Sequence, residues 1–347
     1  MKQVPFLRLR AGVWLRAAGL TLWLGALAAC AQAPPPGGGA APPEAGLHTF
    51  TLEHDGQARR YALYLPAQAG DAALPLVFSL HGGGVTLEEQ TGQSGFKSPF
   101  KLWMDLAERE GFYVVYPEGL PGSYGKPTWN DCRADSTVSS SADDVGFLLA
   151  VLERVAADHP VDRGRVYASG MSNGGFMALR LAVEAPDAFA AVAAIGAAMP
   201  AASACPPARR PVPVLFMNGT ADPNLPYGGG VIGNPPDPTH GTALSTPDSA
   251  AFWSRLAGAE AAETHAFPDL DPDDGSTVRY LSYRREGALW VRLYTVEGGG
   301  HAAPSLRERY SALYERYFGR QNHDVEAVEE VWRFFREAAP AQGPAGR

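Results

Sequence analysis

The sequence predicts an α/β fold with a mostly parallel central sheet of about eight strands and helices on both faces. Short apolar, β-branched runs alternate with longer segments whose apolar residues recur at helical spacing. Of the 347 residues, 46% are hydrophobic and 19% are charged, which suits one large domain. A glycine-flanked serine also stands where a predicted strand runs into a predicted helix. Together these features favour a single layered α/β domain.

The predicted elements follow one another in a regular order along the chain. Each predicted strand is a short apolar run, and each predicted helix carries apolar residues three or four positions apart. The first two strands are expected to pair antiparallel at an edge of the sheet. The predicted strands are Leu47–Leu52, Arg60–Leu65, Leu76–Leu80, Phe112–Tyr116, Arg165–Ser169, Ala190–Ile195, Val212–Asn218 and Trp290–Val296. The predicted helices are Phe100–Arg109, Asp143–Ala157, Asn173–Val183, Pro247–Leu256 and Asp324–Ala338.

Residues 1–29 have the layout of a secretory signal peptide. Basic residues precede an apolar stretch, Ala17–Ala29, that is short for a membrane span. The stretch ends in Leu27-Ala28-Ala29-Cys30, which resembles the lipobox of bacterial lipoproteins and implies cleavage before Cys30 and lipidation of its thiol. The alternative is cleavage after the A-x-A run at positions 31–33, which would release the protein. Either way the chain is expected to be exported, with membrane contact only through a lipid on Cys30.

The remaining boundaries follow from composition. Residues 30–46 are rich in Pro, Gly and Ala and are expected to form a flexible tether, 47–338 one folded domain, and 339–347 a disordered tail. The chain has three cysteines, so Cys132 and Cys205 remain as a pair once Cys30 carries a lipid. An exported protein can oxidise that pair to a disulfide. Two unpaired structural thiols are the alternative, because sequence does not show how close the two backbones come.

Several function classes lack a signature. The formal net charge is −8 and no Lys/Arg run interleaved with aromatic residues follows the leader, so no nucleic-acid partner is expected. Neither an H-E-x-x-H nor a C-x-x-C motif is present, so no metal is expected. No Walker-type or dinucleotide-binding glycine loop occurs, and we expect no cofactor.

A G-x-S-x-G pattern at positions 170–174 connects the fifth predicted strand to a helix. A serine at such a turn has strained backbone angles, and its flanking glycines avoid clashes with the strand and helix. Ser172 is therefore the predicted nucleophile. The amide of Asn173, at the helix N-terminus, is a predicted donor to developing negative charge.

A second glycine-rich segment, His81-Gly82-Gly83-Gly84, leaves the third predicted strand. Glycine amides can approach a substrate oxygen without obstruction by a side chain, so Gly82 and Gly83 are predicted oxyanion donors. We expect His81 to orient this loop.

An acid and a base follow the last two predicted strands. Asp222 lies in the loop after one strand, and His301 follows three glycines after the other. The order Ser172, Asp222, His301 is that of α/β-hydrolases and differs from the orders of chymotrypsin-like and subtilisin-like enzymes. The sequence therefore predicts a Ser-Asp-His triad in an α/β-hydrolase fold, in which Asp222 orients His301 and His301 accepts the serine proton.

These residues together resemble the secreted esterase family that contains polyhydroxybutyrate depolymerase-like and feruloyl esterase-like enzymes. The matching pieces are the triad, Tyr116-Pro117-Glu118-Gly119, Trp129-Asn130, Asp143-Asp144-Val145-Gly146-Phe147, Val166-Tyr167, Gly170–Gly175, Glu297–His301 and Val331–Phe335. The resemblance implies hydrolysis of carboxylic esters through an acyl-enzyme on Ser172. Its implied substrates are small or oligomeric esters: short-chain, hydroxyalkanoate, feruloyl or acetyl-type.

Two departures from the family pattern shape the expected pocket. Many relatives carry an aromatic residue before the proline that follows the histidine, whereas this chain has Ala302-Ala303-Pro304, so one aromatic wall is expected to be missing. No polymer-binding module follows the domain, so short, soluble esters are the expected substrates. The predicted pocket aromatics are Tyr124, Trp129, Tyr227 and Trp253.

Two other functions fit part of the pattern. A prolyl-oligopeptidase-like peptidase would share the fold and the triad order, but it usually carries an extra N-terminal domain that does not fit before Leu47. A lipid-tethered binding protein could keep the fold without catalysis, but the intact set of triad and glycine residues disfavours that reading. Covalent labelling of Ser172 separates an enzyme from a binder.

Overall fold

A computed structural model describes residues 44–70, 72–95 and 98–338. The predicted signal peptide, Cys30, most of the predicted tether and the predicted tail lie outside the described residues. Within the described part, no helix is both long enough and apolar enough to cross a bilayer.

One large mixed sheet forms the centre of the fold. Ten of the strands found in the described residues belong to it, in the order β1-β2-β4-β3-β7-β8-β9-β14-β13-β12. The strands are β1 Gly46–His54, β2 Gln57–Leu65, β3 Leu74–Leu80, β4 Tyr113–Pro117, β5 Leu120–Pro121, β6 Pro127–Thr128, β7 Val161–Met171, β8 Ala191–Ile195, β9 Val214–Gly219, β10 Gly230–Val231, β11 Thr242–Ala243, β12 Glu260–Ala266, β13 Thr277–Arg285 and β14 Ala288–Glu297. β5 pairs with β6 and β10 with β11, outside the large sheet.

The sheet is parallel in its middle and antiparallel at both sides. β4, β3, β7, β8, β9 and β14 run parallel, whereas β1 and β2 on one side and β13 and β12 on the other pair antiparallel. The predicted antiparallel edge pair is confirmed, with Gly46 opposite Leu65. The eight predicted strands are all present, but the predicted number was too low because β12 and β13 extend the sheet.

Helices cover both faces of the sheet, as predicted. They are α1 Leu87–Gln90, α2 Leu102–Glu110, α3 Asp144–Asp158, α4 Asn173–Glu184, α5 Thr246–Ala257, α6 Ala312–Phe318 and α7 Ala327–Glu337, with 3-10 turns at Pro99–Lys101, Pro238–His240 and Pro272–Asp274. Phe78 of β3 packs in one apolar core with residues of α3, α4 and α5, and its neighbour Val77 packs in a second core with residues of α2 and α7. Successive strand residues point to opposite faces, so the two cores lie on the two sides of the sheet.

The parallel strands bring all the predicted site segments to one edge. The loops that follow β3, β7, β9 and β14 carry Gly82 and Gly83, Ser172, Asp222, and His301, respectively. Carboxyl ends of parallel neighbours meet at the same edge of a sheet, which is where ligand sites of open α/β sheets form. The topology therefore explains how residues far apart in sequence share one site.

Candidate active site

Ser172 lies at the sharp turn between β7 and α4. Its backbone angles are φ 54° and ψ −121°, a left-handed conformation that is costly for a residue with a side chain. Its amide donates a hydrogen bond of 2.8 Å to Ile195 O on the neighbouring strand β8. The sheet and helix thus hold this strained residue in place, with its hydroxyl at the edge where a substrate can reach it.

The two glycines of the motif are required by close backbone contacts. A Cβ on Gly170 would lie 2.1 Å from Gly174 O, and a Cβ on Gly174 would lie 2.3 Å from Leu80 O. Both separations are far below van der Waals contact, and the atoms met are backbone atoms that cannot rotate away. The turn therefore forms only with glycine at both positions, as the sequence pattern predicts.

The imidazole of His301 is fixed by the Asp222 carboxylate. His301 Nδ1 is 2.6 Å from Asp222 Oδ2, and both side chains are buried. Asp222 Oδ1 accepts backbone hydrogen bonds from Asn224 (2.7 Å) and Leu225 (2.8 Å). Since both carboxylate oxygens are occupied, the Asp222 side chain has one orientation, and it leaves Nε2 as the free nitrogen of the His301 ring.

Helix α6 and its C-terminus anchor the backbone around His301. The His301 amide donates to Phe318 O at 2.5 Å, and the Tyr314 hydroxyl donates to His301 O at 3.0 Å. His301 and Ser172 line the same two cavities. The structure thus brings the three predicted triad residues to one site, with Asp222 behind His301.

The backbone amides of Gly82, Gly83 and Asn173, beside Ser172, are candidates for binding negative charge. The Gly84 amide already donates to Pro127 O at 2.8 Å, whereas no hydrogen bond among the described residues uses the amides of Gly82 or Gly83. A Cβ on Gly82 would lie 3.7 Å from Ser172 Cβ, so this loop passes directly beside the serine. The Asn173 amide is the first of helix α4, where amides have no partner within the helix. The structure therefore places all three predicted oxyanion donors next to Ser172.

His81 orients the glycine loop from a buried position. Its Nδ1 is 2.8 Å from Gly82 O, and its Nε2 is 2.9 Å from the amide of Gly119. A carbonyl oxygen accepts and an amide donates, so the ring is neutral with its proton on Nδ1. Burial lowers the pKa of His81 to about 4, which keeps the ring neutral at physiological pH. His81 thus acts as a fixed connector between two loops.

The side chain of Asn173 binds the backbone of Trp129 and connects it to Asp131 and Arg133, two residues that sequence reasoning did not assign to the site. Its Oδ1 accepts from the Trp129 amide at 2.7 Å, and its Nδ2 donates to Trp129 O at 3.0 Å and to Asp131 Oδ2 at 2.7 Å. Asp131 is in turn held by the Arg133 guanidinium at 2.6 Å, and both side chains are buried. Motif spacing carried no signal for this network, because it joins residues about 40 positions apart.

Two cavities of about 460 and 130 Å³ open beside Ser172. Of the four predicted pocket aromatics, Tyr124 lines the larger cavity, and the other three are elsewhere, so their prediction was wrong. Trp129 is fully buried and its ring nitrogen donates to His81 O. Trp253 is fully buried in the core, and the Tyr227 hydroxyl is hydrogen-bonded to that of Thr295. Aromatic residue type alone did not reveal which rings pack inside.

The predicted disulfide is confirmed. Cys132 and Cys205 are bonded and close a loop with a sequence separation of 73 residues, which removes the alternative of two free thiols.

Two groups of potential metal ligands occur among the described residues, and neither includes a predicted triad residue. One contains the two disulfide sulfurs, which are not thiolates, with Glu184. The other is Asp271, Asp274 and His323, whose side chains are engaged in hydrogen bonds or ion pairs within the protein.

Known proteins resemble this chain in sequence over most of its length. The putative esterase NocK of Nocardia uniformis subsp. tsuyamanensis is 36% identical over 264 residues, which cover 72% of each chain. Feruloyl esterase B of Piromyces equi is 28% identical over 67% of this chain and 40% of its own length. Poly(3-hydroxyalkanoate) depolymerase C of Paucimonas lemoignei is 26% identical over 69% of this chain and 56% of its own.

Two further comparisons agree in fold and family. The acetyl xylan esterase from Aspergillus awamori superposes with a TM-score of 0.52 at 13% identity, covering 84% of this chain and 100% of that one, and so supports the α/β-hydrolase fold. The family described as "Esterase PHB depolymerase" matches residues 59–212. The resemblance inferred from the motifs is therefore confirmed: this chain belongs to the esterase PHB depolymerase family, and it is a carboxylic ester hydrolase.

Proposed function

We propose that this protein is an exported serine esterase that cleaves short-chain, hydroxyalkanoate or feruloyl/acetyl-type esters through an acyl-enzyme on Ser172. The observation that carries the proposal is the 2.6 Å hydrogen bond between His301 Nδ1 and Asp222 Oδ2, with the ring bordering the same cavities as Ser172. This bond fixes the tautomer in which Nε2 can accept a proton.

In the first step the Ser172 hydroxyl oxygen attacks the ester carbonyl carbon, and its proton moves to His301 Nε2. Negative charge develops on the carbonyl oxygen, which the amides of Gly82 or Gly83 and of Asn173 stabilise. The bond to the alcohol then breaks. The alkoxide takes the proton from His301, and the acyl group stays on Ser172 as an ester.

In the second step water takes the place of the alcohol. His301 Nε2 accepts a proton from the water as its oxygen attacks the acyl carbon. The same amides bind the second oxyanion, and the proton then returns to the Ser172 oxygen as the acid leaves. Asp222 stays ionised throughout and stabilises the imidazolium that forms in each half-reaction. No step needs a group from outside the chain other than substrate and water.

Export is part of the proposal. A disulfide between Cys132 and Cys205 persists in oxidising compartments, which supports the assignment of residues 1–29 as a signal peptide. We propose cleavage before Cys30 and attachment of lipid to its thiol, followed by a tether over 30–46 and the catalytic domain over 47–338. The mass of the mature N-terminal peptide tests this: a diacylglycerol-modified Cys30 is expected, and an unmodified N-terminus at Pro34 would show release instead.

The triad assignment is tested by replacing Ser172 with alanine. Turnover of p-nitrophenyl acetate should fall by about 10⁴-fold or more, and labelling by a fluorophosphonate probe should disappear. Ser169→Ala is a matched control, because Ser169 is a buried serine on β7, the strand that ends just before Ser172, and its hydroxyl has no hydrogen-bond partner in the described part of the chain. The control should keep both labelling and turnover. Wild-type turnover in a folded Ser172→Ala variant would refute the assignment.

The same preparation separates esterase from peptidase action. We expect hydrolysis of p-nitrophenyl esters and no cleavage of a prolyl-p-nitroanilide peptide. Ser172-dependent cleavage of the peptide at a rate comparable to that of the ester would favour the prolyl-oligopeptidase-like alternative. Absence of both fluorophosphonate labelling and turnover of any ester or peptide would favour a binding protein.

A further inference from the structure

Ser172 lies between two cavities of unequal size. They measure about 460 and 130 Å³, and the residues common to both include Ser172, Gly83 and His301. An ester carbonyl carries two substituents, the acyl chain and the alcohol. When its carbon is at the Ser172 hydroxyl and its oxygen faces the amides, the two substituents extend in different directions. Each cavity can therefore receive one half of the ester.

Aromatic rings form much of the wall of the smaller cavity. Tyr310, Tyr314 and Phe318 lie along one side, with ring centroids 4.0 Å apart for the first two and 4.5 Å apart for the last two. Phe100 contributes a ring that is only 3% exposed. Apart from His301, every side chain that lines this cavity is uncharged. The sequence predicts that an aromatic wall after His301 is missing, but rings on and beside α6 line this cavity, which therefore suits an apolar group.

The larger cavity is lined by groups of a different kind. Its lining includes the charged or ionisable side chains Lys126, Arg133, Asp237 and His240. Such side chains interact favourably with hydroxyl, carboxylate and amide groups, and less well with a plain hydrocarbon chain. Apolar side chains such as Phe176, Leu225 and Ile232 line it as well, so this cavity can take a large substituent that carries both polar and apolar groups.

We propose that the smaller cavity is the acyl pocket and that Phe318, whose ring centroid lies 6.3 Å from that of His301, limits its size, so the preferred substrates are acetyl to butyryl esters of bulky, polar alcohols. This inference rests on the proposed serine mechanism. The larger cavity has roughly three and a half times the volume of the smaller one. The alcohol must leave the site and water must enter while the acyl group stays on Ser172. The larger cavity gives more room for this exchange, so we assign it to the alcohol.

The limit is tested with p-nitrophenyl esters of acetate, butyrate, hexanoate and octanoate. In the wild-type enzyme, kcat/KM should fall at least about tenfold between butyrate and octanoate. Phe318→Ala should raise kcat/KM for octanoate about tenfold relative to butyrate, because it extends the pocket by the volume of a ring. Phe318→Trp should shift the preference towards acetate. The His301 amide bonds to the backbone oxygen of Phe318, so these substitutions leave that anchor in place.

Tyr317→Ala is the matched control. Tyr317 is the neighbouring aromatic residue on α6, is 59% exposed and does not line either cavity. Its replacement should leave both the rate and the chain-length profile unchanged.

The wild-type enzyme should also hydrolyse acetate esters of bulky polar alcohols, such as an acetylated disaccharide.

The outcomes separate this inference from the proposed function. Equal kcat/KM for acetate and octanoate in the wild-type enzyme, or identical profiles in wild type, Phe318→Ala and Phe318→Trp, would overturn the acyl-pocket assignment while the esterase function stands. Efficient hydrolysis of long acyl chains with rejection of bulky alcohols would show that the two halves occupy the opposite cavities. Absence of turnover with every ester would instead overturn the proposed function.

Discussion

The Asn173 side chain donates a hydrogen bond of 2.7 Å to Asp131 Oδ2, which links the first residue of helix α4 to the segment that carries the disulfide. Asp131 is also bound by Arg133, whose guanidinium lies 4.5 Å from the centre of the Phe176 ring. Asn173 offers its backbone amide to the proposed oxyanion and its side chain to this network. Asp131 is therefore a positioning residue, which holds Asn173 and also Arg133 in the wall of the larger cavity.

Replacement of Asp131 by asparagine tests that role. The new amide group would face either Asn173 Nδ2 or the Arg133 guanidinium, and in both cases two donors meet. A displacement of about 1 Å at a reacting group can cost about 100-fold in rate, so kcat should fall about 10- to 100-fold with KM within about twofold. Steady-state kinetics with p-nitrophenyl acetate measure both constants. Asp158→Asn, at an exposed ion pair on α3, is the control. An unchanged kcat in a folded Asp131→Asn variant would contradict the role.

Asp222→Asn should reduce kcat by about 10³- to 10⁴-fold without unfolding the protein. Asparagine can still accept the amide hydrogen bonds of Asn224 and Leu225 through its oxygen. Its NH₂ group would then donate to His301 Nδ1, which places the histidine proton on Nε2, the wrong nitrogen for accepting one from Ser172. Stopped-flow or steady-state rates together with a thermal melt measure the two effects. A loss below about tenfold would show that Asp222 does not set the tautomer.

The disulfide should contribute to stability because it closes a long loop. For a sequence separation of 73 residues, removal of the bond in a Cys132→Ala, Cys205→Ala double variant should lower the free energy of unfolding by about 2–5 kcal/mol. Urea denaturation of the variant and of the oxidised wild type gives the difference. Reduced wild type should unfold at nearly the same urea concentration as the variant. If all three preparations unfolded at one concentration, the bond would be dispensable for stability.

Burial of His81 should make the protein sensitive to acid. The unfolded chain takes up a proton at this residue near its ordinary pKa of 6.5, whereas burial lowers the pKa of the folded form to about 4. The stability associated with neutral His81 is thus complete above pH 6.5 and is lost as pH falls through about 4, a loss of about 3 kcal/mol.

His81→Gln isolates this contribution. Glutamine can still accept the Gly119 amide bond but does not titrate. The variant should be less stable at pH 7.5, and its free energy of unfolding should fall less steeply between pH 6.5 and 4 than that of the wild type. Urea titrations across this range measure the slopes, and parallel slopes would count against the assignment.

Much of the site could be predicted from sequence, because close backbone packing around Ser172 requires glycine at fixed positions. Gly170 and Gly174 are fixed by contacts that exclude any side chain, so the motif around Ser172 carries geometric information. The network of Asp131 and Arg133 is different, because long-range packing alone brings it to Asn173. Trp129 and Trp253 were misassigned to the pocket for a related reason, since aromatic residues serve equally well inside the core.

The missing elements of the fold also have a physical explanation. All seven residues of β12 are exposed at the edge of the sheet, and helix α6 has no buried residue. Neither segment needs the apolar periodicity by which buried strands and helices are recognised. The central strands β3, β4, β8 and β9 are almost entirely buried, and the sequence predicted all of them.

Helix α6 has a consequence for how this enzyme can change during evolution. The same short helix provides rings for one cavity and hydrogen bonds for the backbone of His301, through Tyr314 and the carbonyl of Phe318. Side-chain replacements there can alter selectivity while the anchor survives, whereas insertions or deletions would displace the proton acceptor itself. New preferences should therefore arise through point substitutions on this helix, and changes in its length should be selected against.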